Sequence, residues 1–183
     1  MKLLKSFSLL TILFSLAGLF LSISVQAQKD EKDNKIVADA HVAKADFVKV
    51  DALMQNLFDN SYGYVIFPNV GKGAIGIGGA AGNGAVFQKG ALIGMADMKQ
   101  VSVGFQWGGQ AYREVIFFET EADLNRFKEN KFEFAGQASA VAVTKGAAAN
   151  VKYKDGVMIF SQTKAGLMYE ASVGGQKFKF RHL

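Results

Sequence analysis

Gly71-Lys72-Gly73-Ala74-Ile75-Gly76 has the G-x-G-x-x-G spacing that wraps backbone around a pyrophosphate, and it follows an apolar run, Tyr64-Val65-Ile66-Phe67. That chemistry needs a helix N-terminus directly behind the glycines, where the aligned peptide dipoles hold the phosphate charge. Ile77-Gly78-Gly79-Ala80-Ala81-Gly82-Asn83-Gly84 stands there instead, and each interior glycine costs a helix about 1 kcal/mol. No nucleotide or other cofactor is assigned. Only His41 and His182 occur, neither at metal-ligand spacing from another donor, and neither H-E-x-x-H nor G-x-S-x-G is present. The chain has no cysteine, which removes thiolate ligands, thiol nucleophiles and disulfides together. Glu119, Glu121 and Asp123 cluster at the start of a short predicted helix, where carboxylates cap backbone N–H groups without doing chemistry. No catalytic residue and no metal ligand is assigned, and the chain reads as no enzyme.

The remaining candidates are cations. In Lys177-Phe178-Lys179-Phe180-Arg181 a period of two sends both rings to one face and all three charges to the other. Such a row suits phosphate headgroups, at about 1 kcal/mol per cation near an anionic surface. It equally suits an edge strand whose charges discourage pairing with another chain. Lys72, Lys89 and Lys99 fall at predicted turns and extend a possible basic rim. Lys72, Lys89, Lys99, Lys177, Lys179 and Arg181 are therefore the candidate lipid-contact residues.

Elements must position these side chains. Residues 1–27 carry Lys2 and Lys5, an uncharged apolar stretch from Phe7 to Ile23, and the exit Val25-Gln26-Ala27. This is the pattern of a secretory signal peptide cleaved after Ala27, which directs the chain to the periplasm or out of the cell. Removing it leaves 156 residues with 19 basic and 16 acidic side chains, a net charge of +3. That is too mild for a nucleic-acid partner, while it permits an anionic surface. Gln28–Lys35 is polar and aperiodic and reads as a flexible leader; residues 36–183 read as one domain. Ile36, Ala40, Ala43, Phe47, Val50, Met54 and Leu57 line one stripe of a single long helix over about Asn34–Asp59. Its polar face mixes Asp39, Asp46 and Asp51 with Lys44 and Lys49, which suits packing on a core better than lying on lipid.

Beyond Gly63 the period changes to two. Strands are expected at Tyr64–Phe67, Ala85–Phe87, Ala91–Met95, Val101–Trp107, Val115–Phe118, Phe132–Phe134, Ser139–Val143, Ala148–Lys152, Val157–Phe160, Ala165–Val173 and Lys177–Arg181, with Ala74–Gly79 small and glycine-dense. Thr120 opens a short helix through about Glu129, Asp155-Gly156 makes a turn, and Gly174-Gly175 signals a hairpin. A long helix succeeded by many short strands implies an α+β fold: one long N-terminal amphipathic helix, one short helix, and a largely antiparallel sheet, strongly coiled or closed.

In this order the segments resemble the SYLF domain. Gly63-Tyr64-Val65-Ile66-Phe67-Pro68-Asn69-Val70 through Gly78-Gly79 is similar to its opening strand, lysine and glycine run. Val103-Gly104-Phe105-Gln106-Trp107-Gly108-Gly109-Gln110 is similar to its central glycine-aromatic segment. Val115–Phe118 with Thr120–Phe127, then Phe134–Ala142, then Lys164-Ala165-Gly166-Leu167-Met168 through Val173-Gly174-Gly175, resemble its later elements. The likeness covers about 37–180 and is nearest the compact, exported bacterial branch. It implies a lipid-binding module without catalytic residues, whose eukaryotic members bind acidic lipids and act with actin. An exported bacterial chain does not meet actin, so anionic phospholipids are the implied partner, with a structural or stress-related envelope protein acting through protein contacts as the alternative.

Overall fold

The computed structural model describes residues 28–72, 79–101, 111–130, 132, 139–164, 170–173 and 175–183. Two units are distinguished, residues 1–35 and 36–183. In the first, residues 28–35 are helical. Gln28, Lys29, Glu31 and Lys32 are good helix formers with no glycine or proline among them.

The second unit is built on helix α1 (residues 36–50) and α2 (Met54–Asn60). Next come strands β1 (Gly63–Lys72), β2 (Gly79–Gln88), β3 (Ala91–Val101) and β4 (Ala111–Phe118). Helix α3 (Glu121–Lys128), β5 (Ser139–Ala142), a 3-10 turn (Ala147–Asn150), β6 (Val157–Thr163), β7 (Glu170–Ser172) and β8 (Gln176–His182) complete it. The strands form one sheet in the order β7-β5-β6-β4-β1-β2-β3-β8. Only the β5–β6 pair is parallel among the described ladders. The α+β class and the largely antiparallel sheet are as expected.

Both faces of the sheet are buried, and the period of two sorts side chains between them. On one face Tyr64, Ile66, Phe87, Val115, Phe117 and Phe160 pack under Ala40, Ala43 and Phe47 of α1 and Met54 and Phe58 of α2. On the other, Val65, Phe67, Val70, Ile116, Phe118 and Phe178 pack with Leu124 and Phe127 of α3. We call these the helix-covered and the inner face. Phe67 and Val70 share the inner face although one is odd and one even. The register of β1 slips beside both neighbours around Pro68, between Ile66 and Asn69 against β2 and between Phe67 and Val70 against β4. Proline has no N–H to give the ladder, so the extra residue of a bulge accommodates it and reverses the parity of the remaining β1 residues.

The inner face is concave because the sheet rolls. Gln176 Nε2 of β8 donates to Glu114 Oε2 of β4 at 3.0 Å, although β1, β2 and β3 lie between the two strands. In a flat sheet, four strand spacings would hold them about 19 Å apart. Phe67 of β1 and Phe178 of β8 likewise meet at 5.8 Å between ring centroids. The roll explains a correction. The hairpin expected across Gly174-Gly175 is not formed among the described residues: β7 pairs with β5 at one edge and β8 with β3 at the other. Ser172 to Gln176 can span at most about 14 Å, so this short link requires the two edges to lie close. No ladder joins β7 to β8 among the described residues, so the sheet is coiled and open.

Two other expectations change. The N-terminal helix is broken at Asp51, whose buried carboxylate accepts Leu53 N at 3.1 Å and Ala148 N at 2.8 Å. Aspartate competes for backbone donors in this way and ends helices. The break shifts the phase: Val50 is exposed, Leu57 is partly buried, and Phe58 takes a core position. Ala148–Lys152 is no strand; Gly146, with φ of 80°, opens the 3-10 turn instead, and Asp51 holds its second amide. Asp51→Ala, which leaves Ala148 N buried without its acceptor, is expected to lower stability by about 2 kcal/mol, read as a reduced urea midpoint. The strand segments expected at 102–107, 133–134 and 165–169, and the glycine-dense 74–78, lie outside the described residues.

Candidate functional site

Four of the six candidate cations come together at one edge of the sheet. In β8, Gln176, Phe178 and Phe180 are buried, while Lys177 and Lys179 are exposed and Arg181 is half-buried. The antiparallel register sets Lys177 directly opposite Lys99 on β3, Lys179 opposite Asp97 and Arg181 opposite Met95. Directly paired residues hold their Cβ atoms about 5 Å apart. Lys99, Lys177, Lys179 and Arg181 therefore form one basic patch, with Asp97 as its internal counter-charge. Gly94 lets β8 close on β3, since a Cβ there would sit 2.5 Å from both the Arg181 carbonyl oxygen and the Phe180 ring. The outer backbone edge of β8 is partly occupied: Phe180 N donates to Asn130 Oδ1 at 2.6 Å. Asn130 lies just past α3 with φ of 58°.

The other two candidates stand elsewhere. Lys89 occupies the β2–β3 turn at the opposite end of β3, with φ of 49° and its Nζ 5.2 Å from the Tyr62 ring centroid. Lys72 closes β1, and its side chain lies outside the described residues. Behind the glycine motif, Gly79–Gln88 is a strand paired antiparallel to β1, with Lys72 opposite Ala80. The glycine run thus joins two adjacent strands, and the next described element is no phosphate-binding helix. His41 packs on Phe87 and His182 on Phe180. Asp123 accepts from Thr120 N while Thr120 Oγ1 accepts from Asp123 N, the capping box read from the sequence. No group of acidic or histidine side chains with the spacing of a metal site occurs among the described residues.

Sequence reasoning missed a second cluster. Glu114 and Gln176 are fully buried on the inner face, next to Tyr112. Glu114 lies opposite Ser161 on β6 and opposite Phe67 on β1, and Gln176 lies opposite Gln100 on β3. Burial pushes the Glu114 carboxyl up to about 7, against a smaller opposite pull from its hydrogen bond with Gln176. Burial, and then the nearby Glu114 charge, raise the Tyr112 phenol; a hydrogen bond with Gln176 acts the other way. The available signal was parity: Glu114 shares the register of Tyr112, Ile116 and Phe118, a carboxylate on a buried row.

Residues 99–182 match the family model described as Ysc84, Las17-binding protein actin regulator. Beta cell expansion factor A of Aeromonas veronii is 29% identical over 123 residues, covering 67% of this chain and 47% of that protein. The match thus spans about half the length of the relative. The strands inside the family match form two separated groups, β7-β5-β6-β4 and β8, and only β1, β2 and β3 join them into one sheet. The family is one of binding modules. The match falls on the later of the segments singled out in the sequence, and residues 99–182 are the part of the chain that is similar to the Ysc84 (SYLF) family.

Proposed function

We propose that the mature chain is an exported, non-enzymatic module that attaches reversibly to anionic phospholipid surfaces through Lys99, Lys177, Lys179 and Arg181. In this reading the leader is removed after Ala27 and the protein works in the periplasm or outside the cell, away from actin. The observation that carries it is the pairing of Lys99 with Lys177. Like charges directly opposite each other destabilise a sheet. An aggregation-blocking edge needs only scattered cations, whereas an adjacent pair with two further cations offers phosphate oxygens several donors at once. Beneath them Phe178 and Phe180 are buried in the core, so the row is presented from a fixed backbone.

The test is sedimentation of the mature chain with vesicles of phosphatidylglycerol or of phosphatidylcholine. Binding to the anionic vesicles that fades as salt rises is expected, because exposed charges are screened beyond about 8 Å at physiological ionic strength. The triple reversal K177E/K179E/R181E is expected to weaken it at least about a hundredfold, on the scale of 1 kcal/mol per cation. The reversal K89E, at the far end of β3, is expected to leave it within about twofold. Equal binding to both vesicles, or an unaffected triple variant, would remove the reading and favour a protein partner.

A further inference from the structure

The described hydrogen bonds leave one imbalance on the inner face. Glu114 Oε2 accepts from Gln176 Nε2, while Glu114 Oε1 and Gln176 Oε1 are both buried and without a hydrogen-bond partner among the described residues. Two acceptor oxygens repel, and each buried without a donor costs free energy. A single proton on the carboxyl resolves both. We propose that Glu114 and Gln176 form a proton-dependent latch between β4 and β8: the carboxylic acid donates from Oε1 to Gln176 Oε1 while Gln176 Nε2 donates to Glu114 Oε2, and release of that proton to solvent opens the latch.

The surroundings favour the neutral acid. Phe67 faces Glu114 from β1, Ser161 from β6, and Tyr112 shares its own row, while Gln100 lies opposite Gln176 on β3. Tyr112 and Glu114 are the ionisable members of this group. The described cations of β8 and β3 alternate to the other face, Arg113 pairs there with Asp46 at 2.7 Å, and His182 stands at the far end of β8 on Phe180. No described cation therefore compensates an ionised Glu114, and its buried charge would be left to repel Gln176 Oε1. Burial raises the carboxyl accordingly. The latch matters because β4 and β8 are not neighbours in the sheet; it holds the roll shut across the interior. The back of β8 carries Lys177, Lys179 and Arg181, so, resting on the lipid-binding reading above, the latch would regulate how firmly that face is presented.

The mature chain with 13C-labelled glutamate is titrated by NMR, and amide exchange of β8, corrected for intrinsic rates, is tracked from pH 5.5 to 8.5 alongside Glu114→Gln. The Glu114 carboxyl carbon is expected to titrate near neutrality, and β8 protection is expected to fall at least tenfold relative to β1 across the same range. E114Q, whose amide replaces the acid's donor, is expected to hold β8 protection constant. A Glu114 midpoint in the ordinary glutamate range overturns the latch, and this measurement on the unaltered protein decides even if E114Q does not fold. So does the same pH dependence of β8 in both proteins. Phosphatidylglycerol vesicle binding is read in parallel: weakening of several-fold from pH 6 to 8 in the wild type and none in E114Q supports the regulation, while identical profiles overturn it. Absence of anionic binding at every pH overturns the lipid reading and leaves the latch to the NMR result.

Discussion

Replacing Phe178 by alanine is expected to cost about 4 kcal/mol, within the range for deleting a buried phenyl ring. The ring lies 5.8 Å from Phe67, 5.2 Å from Phe127 and 6.2 Å from Phe132, centroid to centroid. It thus joins β1, α3 and β8 at the centre of the concave face. The loss combines transfer of the ring to water with a cavity that three neighbouring rings cannot all fill by shifting. Urea unfolding of the mature protein measures it. A loss below about 1 kcal/mol would mean that β8 is a loosely attached edge and that the roll of the sheet does not depend on this contact. Phe178→Leu keeps most of the volume and is expected to lose less than half as much.

The second large effect is on the pH dependence of stability, through Glu114. Its carboxyl is raised from 4.5 to about 7 in the folded protein. Between those two values the folded state binds more protons than the unfolded state. Stability therefore falls as pH rises through this window and levels off above about 7. Carboxylates held ionised by a partner do the opposite and stabilise as pH rises. At 1.36 kcal/mol per unit, the shift corresponds to about 3 kcal/mol between the two limits. Other groups titrate in the same interval, so the quantity to measure is the difference between wild type and Glu114→Gln. E114Q is expected to gain about 3 kcal/mol relative to wild type on going from pH 4 to pH 8, by urea unfolding at each pH. Parallel curves for the two proteins would show that Glu114 ionises in the fold as it does in water.

Elements governed by a few neighbouring residues were legible in the sequence. The Thr120–Asp123 capping box, the Asp155-Gly156 turn with φ of 53° and 80°, and the alternation Lys177-Phe178-Lys179-Phe180-Arg181 are present as read. Each depends on a cap, a left-handed turn or a period of two, all decided within one turn of chain. Local reading failed where a distant group outbid local preference. Asp51 breaks the helix because Ala148, 97 residues away, needs its carboxylate. Gly174-Gly175 looks like a hairpin locally, but β8 pairs with β3, and Phe178 and Phe180 pack into the inner-face core.

The candidate site divides in the same way. By itself the sequence determined that β8 has a cationic and an apolar face, because side-chain direction in a strand is set by parity alone. Only the tertiary structure decided that Lys99 stands opposite Lys177, that Lys89 lies at the other end of β3, and that Glu114 meets Gln176 across the interior. Those positions are set by ladder register and by the accumulated coil of eight strands. Both are sums over contacts between residues far apart in the chain, which no short window of sequence contains.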